Sequence, residues 1–161
     1  MMKSISKILI IVVLTFFFNK IYAQEDTKSL DFIIVVDGEI FDHYTKFNIV
    51  RYHKGQIDKL LVNYWPGNLS IKKSDYENLI SKETDSILLY IEDNRYINGK
   101  QNENSYEIEI KKPWLQDYYN ILRIYNLNNK KNKGLEPLSK DKNYTFELSS
   151  PSHTFLRIRK K

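Results

Sequence analysis

Leu30-Asp31-Phe32-Ile33-Ile34-Val35-Val36-Asp37-Gly38-Glu39-Ile40-Phe41 is the stretch whose reading decides the fold. Phe32 to Val36 are adjacent apolar residues, all but the first β-branched, and Asp37-Gly38 closes them. That pattern predicts a buried strand entering a tight turn, with Glu39 to Phe41 returning as a hairpin partner. A run with no polar face has none to give to water, so other strands are expected to cover it on both sides.

Ahead of this strand, residues 1–23 have the three-part form of a secretory signal: Lys3 and Lys7, the apolar block Ile8 to Phe18, and a polar break ending at Ala23. A signal peptidase admits only short side chains just before the scissile bond, which places the cut before Gln24. Spanning a bilayer takes about 20 apolar residues, and Asn19 and Lys20 stop this block well short of that. The mature chain, residues 24–161, is therefore expected to have no integral membrane segment and to act in the periplasm or outside the cell. Lys3, Lys7 and Lys20 leave with the signal and no acid goes with them, so the excess of 25 basic over 20 acidic residues shrinks in the mature protein. No nucleic-acid partner is expected on that balance and in that compartment. The chain has no Cys, hence no disulfide and no thiol nucleophile, and its stability must come from packing in a single domain.

Beyond the turn, Phe47 to Tyr52 predicts another strand. Ile57 to Tyr64 fits both periodicities and is assigned to strand, because Asn63-Tyr64-Trp65-Pro66-Gly67 runs aromatic residues straight into a turn. Ser74-Asp75-Tyr76-Glu77 has capping-box spacing and predicts one short helix near 75–81. Further strands are expected at Ile87 to Ile91, Tyr106 to Ile110, Ile121 to Tyr125, Tyr144 to Leu148 and Leu156 to Arg159. Gln24 to Ser29 reads as a mobile lead, Pro113 to Tyr119 as a crossover turn, and Asn126 to Gly134 as a loop too polar to fold alone. The sum is a mostly β chain, a single antiparallel β-sandwich compatible with an immunoglobulin-like arrangement. A tyrosine in the approach to a late strand, Tyr118 or Tyr119, resembles the tyrosine corner of immunoglobulin-like sandwiches, though the cysteine pair and the Trp spacing are absent.

The candidate chemistry is sparse. Asp37, Asp42, His43 and His53 could converge near the first turn, but no pair has a metal-ligand spacing, and neither a metal nor a cofactor is expected. Glu107 and Glu109 point the same way on one strand, whereas a glycosidase pair flanks its substrate at about 5 to 9 Å from different elements. No nucleophile elbow or phosphate loop is present. The basic residues Lys130, Lys131, Lys133 and Arg157, Arg159, Lys160, Lys161 read as solvated edges. The remaining feature is aromatic content. Tyr64, Trp65, Trp114 and Tyr118 are the candidate binding residues, because rings with polar edges bring large contact area at low entropy cost. Trp65 and Trp114 stand beside proline, which favours loop positions. The expected function is a non-catalytic domain that binds a protein or glycan partner. The alternatives are a subunit of an envelope assembly pairing by edge strands, or a hydrolase.

Overall fold

A computed structural model describes residues 26–42, 45–94, 96–97, 100–101 and 103–155. The signal segment, His43 and the expected strand at Leu156 to Arg159 lie outside the described residues. Six strands form one sheet, in the order β1 (Thr27–Leu30), β6 (Asn68–Lys72), β5 (Gln56–Trp65), β4 (Thr45–His53), β7 (Ser86–Asp93) and β10 (Asn104–Glu109). Five form a second: β13 (Thr154–Phe155), β12 (Tyr144–Ser149), β11 (Asn120–Asn126), β2 (Phe32–Val36) and β3 (Glu39–Ile40). A separate hairpin pairs β8 (Tyr96–Ile97) with β9 (Lys100–Gln101). The described residues also form two short α-helices, α1 (Lys73–Ile80) and α2 (Lys112–Gln116), and one 3-10 turn at Lys130–Asn132. Among the described residues no helix is long and apolar enough to cross a membrane.

The β-sandwich follows from period-2 burial in both sheets. β2 sends Phe32, Ile34 and Val36 inward, β11 sends Leu122 and Ile124, and β12 sends Tyr144, Phe146 and Leu148. The six-stranded sheet answers with Phe47, Ile49, Val62, Tyr64, Ile87, Leu89, Tyr106 and Ile108, and all of these belong to one apolar cluster. Two tyrosines cross the interlayer. The Tyr64 hydroxyl, on β5, accepts from the Ile34 amide of β2 at 3.0 Å. The Tyr144 hydroxyl, on β12, accepts from the Glu107 amide of β10 at 2.8 Å and donates to the Glu107 carbonyl at 2.7 Å. A buried phenol needs such a partner, and burial raises the pKa of both.

Several expectations need correction. The central strand is covered on one face only: Ile33 and Val35 are half-buried on the outer side, where Ile121 and Arg123 lie alongside them. β2 and β11 pair in parallel, so the sandwich is antiparallel except at that junction. The lead contains β1, held to β6 by an antiparallel ladder from Thr27↔Lys72 to Leu30↔Leu69. α1 starts earlier than expected, and the capping box does not form, because the Lys73 amide is met by the Asp26 carbonyl at 2.8 Å. Pro113 opens α2 instead of a turn, since its missing N–H costs nothing in a first helical turn.

Candidate functional site

The two helices build a corner of the sandwich where a cleft opens. α2 is pinned by Asn120, whose side-chain amide donates to the Trp114 carbonyl at 2.8 Å while its backbone amide donates to the Asp31 carbonyl at 2.8 Å. Tyr76 of α1 reaches over, its hydroxyl donating to the Leu115 carbonyl at 3.3 Å, and its pKa is raised by burial. Between β1, α1 and the end of α2 this leaves a cleft of about 260 Å³. Its rim carries Lys28, Asp31, Gln116 and Tyr118, and the Lys28 ammonium lies 5.7 Å from the Tyr76 ring centroid. Trp65 is near the same corner: it opposes Asn68, whose side chain accepts from the Ser29 hydroxyl at 3.0 Å on the strand that lines the cleft.

The four candidate binding residues divide into two pairs. Tyr64 is fully buried, stacked on Phe47 at 5.2 Å, and Trp114 is 7% exposed, packed on Phe155 at 6.4 Å. Both side chains therefore lie in the core and not at the surface. Proline directed Trp114 into a helix whose inner face is core. Trp65 and Tyr118 are 55% and 88% exposed. Tyr119 is also exposed, so neither tyrosine forms a buried corner.

A second exposed feature covers the outer face of the six-stranded sheet. β5 turns Asp58, Leu60, Val62 and Tyr64 inward, and Ile57, Lys59, Leu61, Asn63 and Trp65 outward. Ile57 and Leu61 are 65% and 57% exposed. Beside them in register are Tyr52 opposite Ile57, Val50 opposite Lys59, and Leu88 opposite Val50. The result is an outer face on which exposed apolar side chains alternate along β5 with Lys59 and Asn63.

The remaining polar clusters are used by the fold itself. Glu107 accepts from Tyr90 at 3.0 Å and from Lys142 at 2.7 Å. The Lys142 bond, followed by that from Tyr90, lowers the carboxyl pKa, while burial and the Glu107 carboxylate push Tyr90 up to about 12. Glu109 pairs with Lys111 instead, so the two acids do not act on one point. Asp37 anchors the polar loop: it accepts from the Asn126 amide at 2.8 Å and from the side chains of Asn132 at 2.7 Å and Asn129 at 3.0 Å. His53 lies on another strand. Its Nε2 is 2.9 Å from Asp58 Oδ2, near enough for an ion pair but off the line of a hydrogen bond, and Arg51 reaches the same oxygen at 2.8 Å. Among the described residues no group of three or more potential ligands is placed to hold a metal ion.

Sequence reasoning missed one juxtaposition of serine, histidine and aspartate. Asp117 accepts from the Ser150 hydroxyl, from Ser152 at 2.6 Å and from His153 Nδ1 at 3.1 Å. These bonds, led by the Ser150 hydroxyl, hold its pKa at about 2. A catalytic triad needs the imidazole between hydroxyl and carboxylate. Here the carboxylate is in the middle and the imidazole contacts it instead of the hydroxyl, so the triad order is not formed, and the cluster clamps the β12–β13 turn to the end of α2. The Ser-Pro-Ser-His spacing signals a turn, but nothing local marks Asp117 as its anchor. No family model matches the sequence, and no curated protein or solved structure shows a significant similarity to it.

Proposed function

We propose that this chain is a small exported, non-catalytic domain that binds a protein partner in the periplasm or outside the cell. The contact surface in this reading is the outer face of the six-stranded sheet. The observation that carries it is the line of Ile57, Leu61 and Trp65 on β5, each more than half exposed. Scattered single apolar residues on a surface need no explanation, but three on one face of one strand, interleaved with Lys59 and Asn63 and flanked by Tyr52, have the mixed apolar and polar make-up of an interaction site. Ile57 and Leu61 offer a sugar neither a ring to stack on nor a hydrogen bond, and the exposed indole of this line, Trp65, stands apart from them at the end of β5, which favours a protein over a glycan here. An exported chain meets such partners in the envelope or outside it.

The test is recovery of a partner from the native envelope with the mature protein as bait, repeated with an Ile57→Asp, Leu61→Asp double variant. Both side chains are mostly in solvent, so the variant should fold. A partner held by the parent in fixed ratio and lost by the variant supports the reading. Equal recovery by both, or a parent that elutes from size exclusion as an oligomer dispersed by the same substitutions, overturns it. The second result would identify the face as a contact between copies of this chain.

A further inference from the structure

The corner cleft holds polar side chains for which the fold has no use. Among the described residues, the Asp31 carboxylate, the Gln116 carboxamide and the Tyr118 hydroxyl bond to no protein group, in contrast to Asp117 beside them, whose two oxygens are taken by Ser150, Ser152 and His153. We propose that this cleft binds a neutral saccharide, with one sugar ring seated between β1 and α2 and the Tyr118 ring against its C–H face. This site is separate from the sheet face in residues and in ligand, and does not rest on the protein-binding reading.

The ligand class follows from elimination on chemistry. An apolar ligand would strip water from Asp31 and Gln116 and return no hydrogen bond, a loss for each group. An anion would meet one ammonium, Lys28, already facing the Tyr76 ring at 5.7 Å, and would stand beside the carboxylates of Asp31 and Asp117, where like charges repel. Sugar hydroxyls both donate and accept. They match an acceptor-only carboxylate and a carboxamide that does both, and the C–H patch of the ring matches an exposed phenol. The cleft, at about 260 Å³, is just below the roughly 300 to 1,000 Å³ of sites that enclose drug-sized ligands. It therefore encloses one ring, and the rest of an oligosaccharide would run out past Tyr118.

The mature protein is applied to an array of neutral and acidic oligosaccharides, and each hit is titrated by calorimetry. A neutral saccharide should bind, and Tyr118→Ala and Asp31→Ala should each weaken it at least tenfold. Leu61→Asp, on the sheet face, should leave that binding unchanged. Both cleft residues are exposed, so far-UV spectra and melts of their variants should match the parent. The proposal is overturned if no neutral saccharide binds, if only acidic ones do, or if binding survives both cleft substitutions. Loss of binding in Leu61→Asp alone would place the sugar on the sheet and also overturn it.

Discussion

Trp114 packs under α2 against Phe155, with ring centroids 6.4 Å apart, and removing it leaves a hole between helix and sheet. Phe/Trp→Ala changes in a core cost about 3 to 5 kcal/mol, a fall of about 10 °C or more for a chain of this size. Trp65→Ala, on a ring already 55% exposed, should melt within a few degrees of the parent. Thermal melts of the two variants check this, and matched melts would mean that Trp114 is not part of the core. Asp117 gives a second outcome at this scale. Its pKa is depressed from 3.8 to about 2, so the stability it contributes is present above its unfolded value and is lost as pH falls through the folded one. Asp117→Asn should therefore melt below the parent at pH 7, with the gap closing as pH falls from about 4 to about 2. A gap of constant size across that range would show that its charge is not what holds the turn.

Along β2, burial alternates residue by residue, and that makes two neighbours unequal. Ile34 is wholly buried, whereas Val35 is half-buried on the outer face, in register with Arg123 on one side and Ile40 on the other. An aspartate at Ile34 puts an unpaired charge in the core, a cost of several kcal/mol against a total stability of about 5 to 15. Ile34→Asp should give no cooperative melt by circular dichroism. Val35→Asp should remain folded, because its carboxylate can reach water and the Arg123 guanidinium, and its unfolding would show that the outer face is covered after all. Elements such as this one were legible in the sequence because apolar β-branched runs bury themselves wherever they fall, and the strands at Phe47, Ile87, Tyr106, Ile121 and Tyr144 were read on the same ground. β1 was not legible: Thr27-Lys28-Ser29 has no apolar pattern, and it is a strand only because β6 offers it a ladder. The parallel pairing of β2 with β11, like the approach of Asp117 to Ser150 and His153, joins residues far apart in the chain, and no local spacing records it. Of the four candidate binding residues, Trp65 and Tyr118 lie at the surface. For Trp114 the neighbouring proline pointed to a loop, where tertiary packing made a helix.

For the molecule as a whole, the two tyrosines that cross between the layers settle what becomes of the sheets' unfinished margins. Any open sheet ends in a strand with backbone groups left over, and such a row is a template on which another chain can polymerise. β10 is one of these terminal strands, and at its midpoint both outward-facing groups of Glu107 are occupied by a single oxygen, that of Tyr144. Tyr64 does the same for the Ile34 amide, next to the point where the short β3 leaves β2 without a neighbour. Each layer thus supplies the stopper for the other, and a growing filament would have to displace a buried phenol before adding its first rung. Tyr144→Phe keeps the ring, and its edge-on contact with Tyr106 at 5.2 Å, but removes that stopper. The variant should stay folded and yet nucleate fibrils, seen as light scattering and thioflavin fluorescence, at concentrations where the parent stays clear for days.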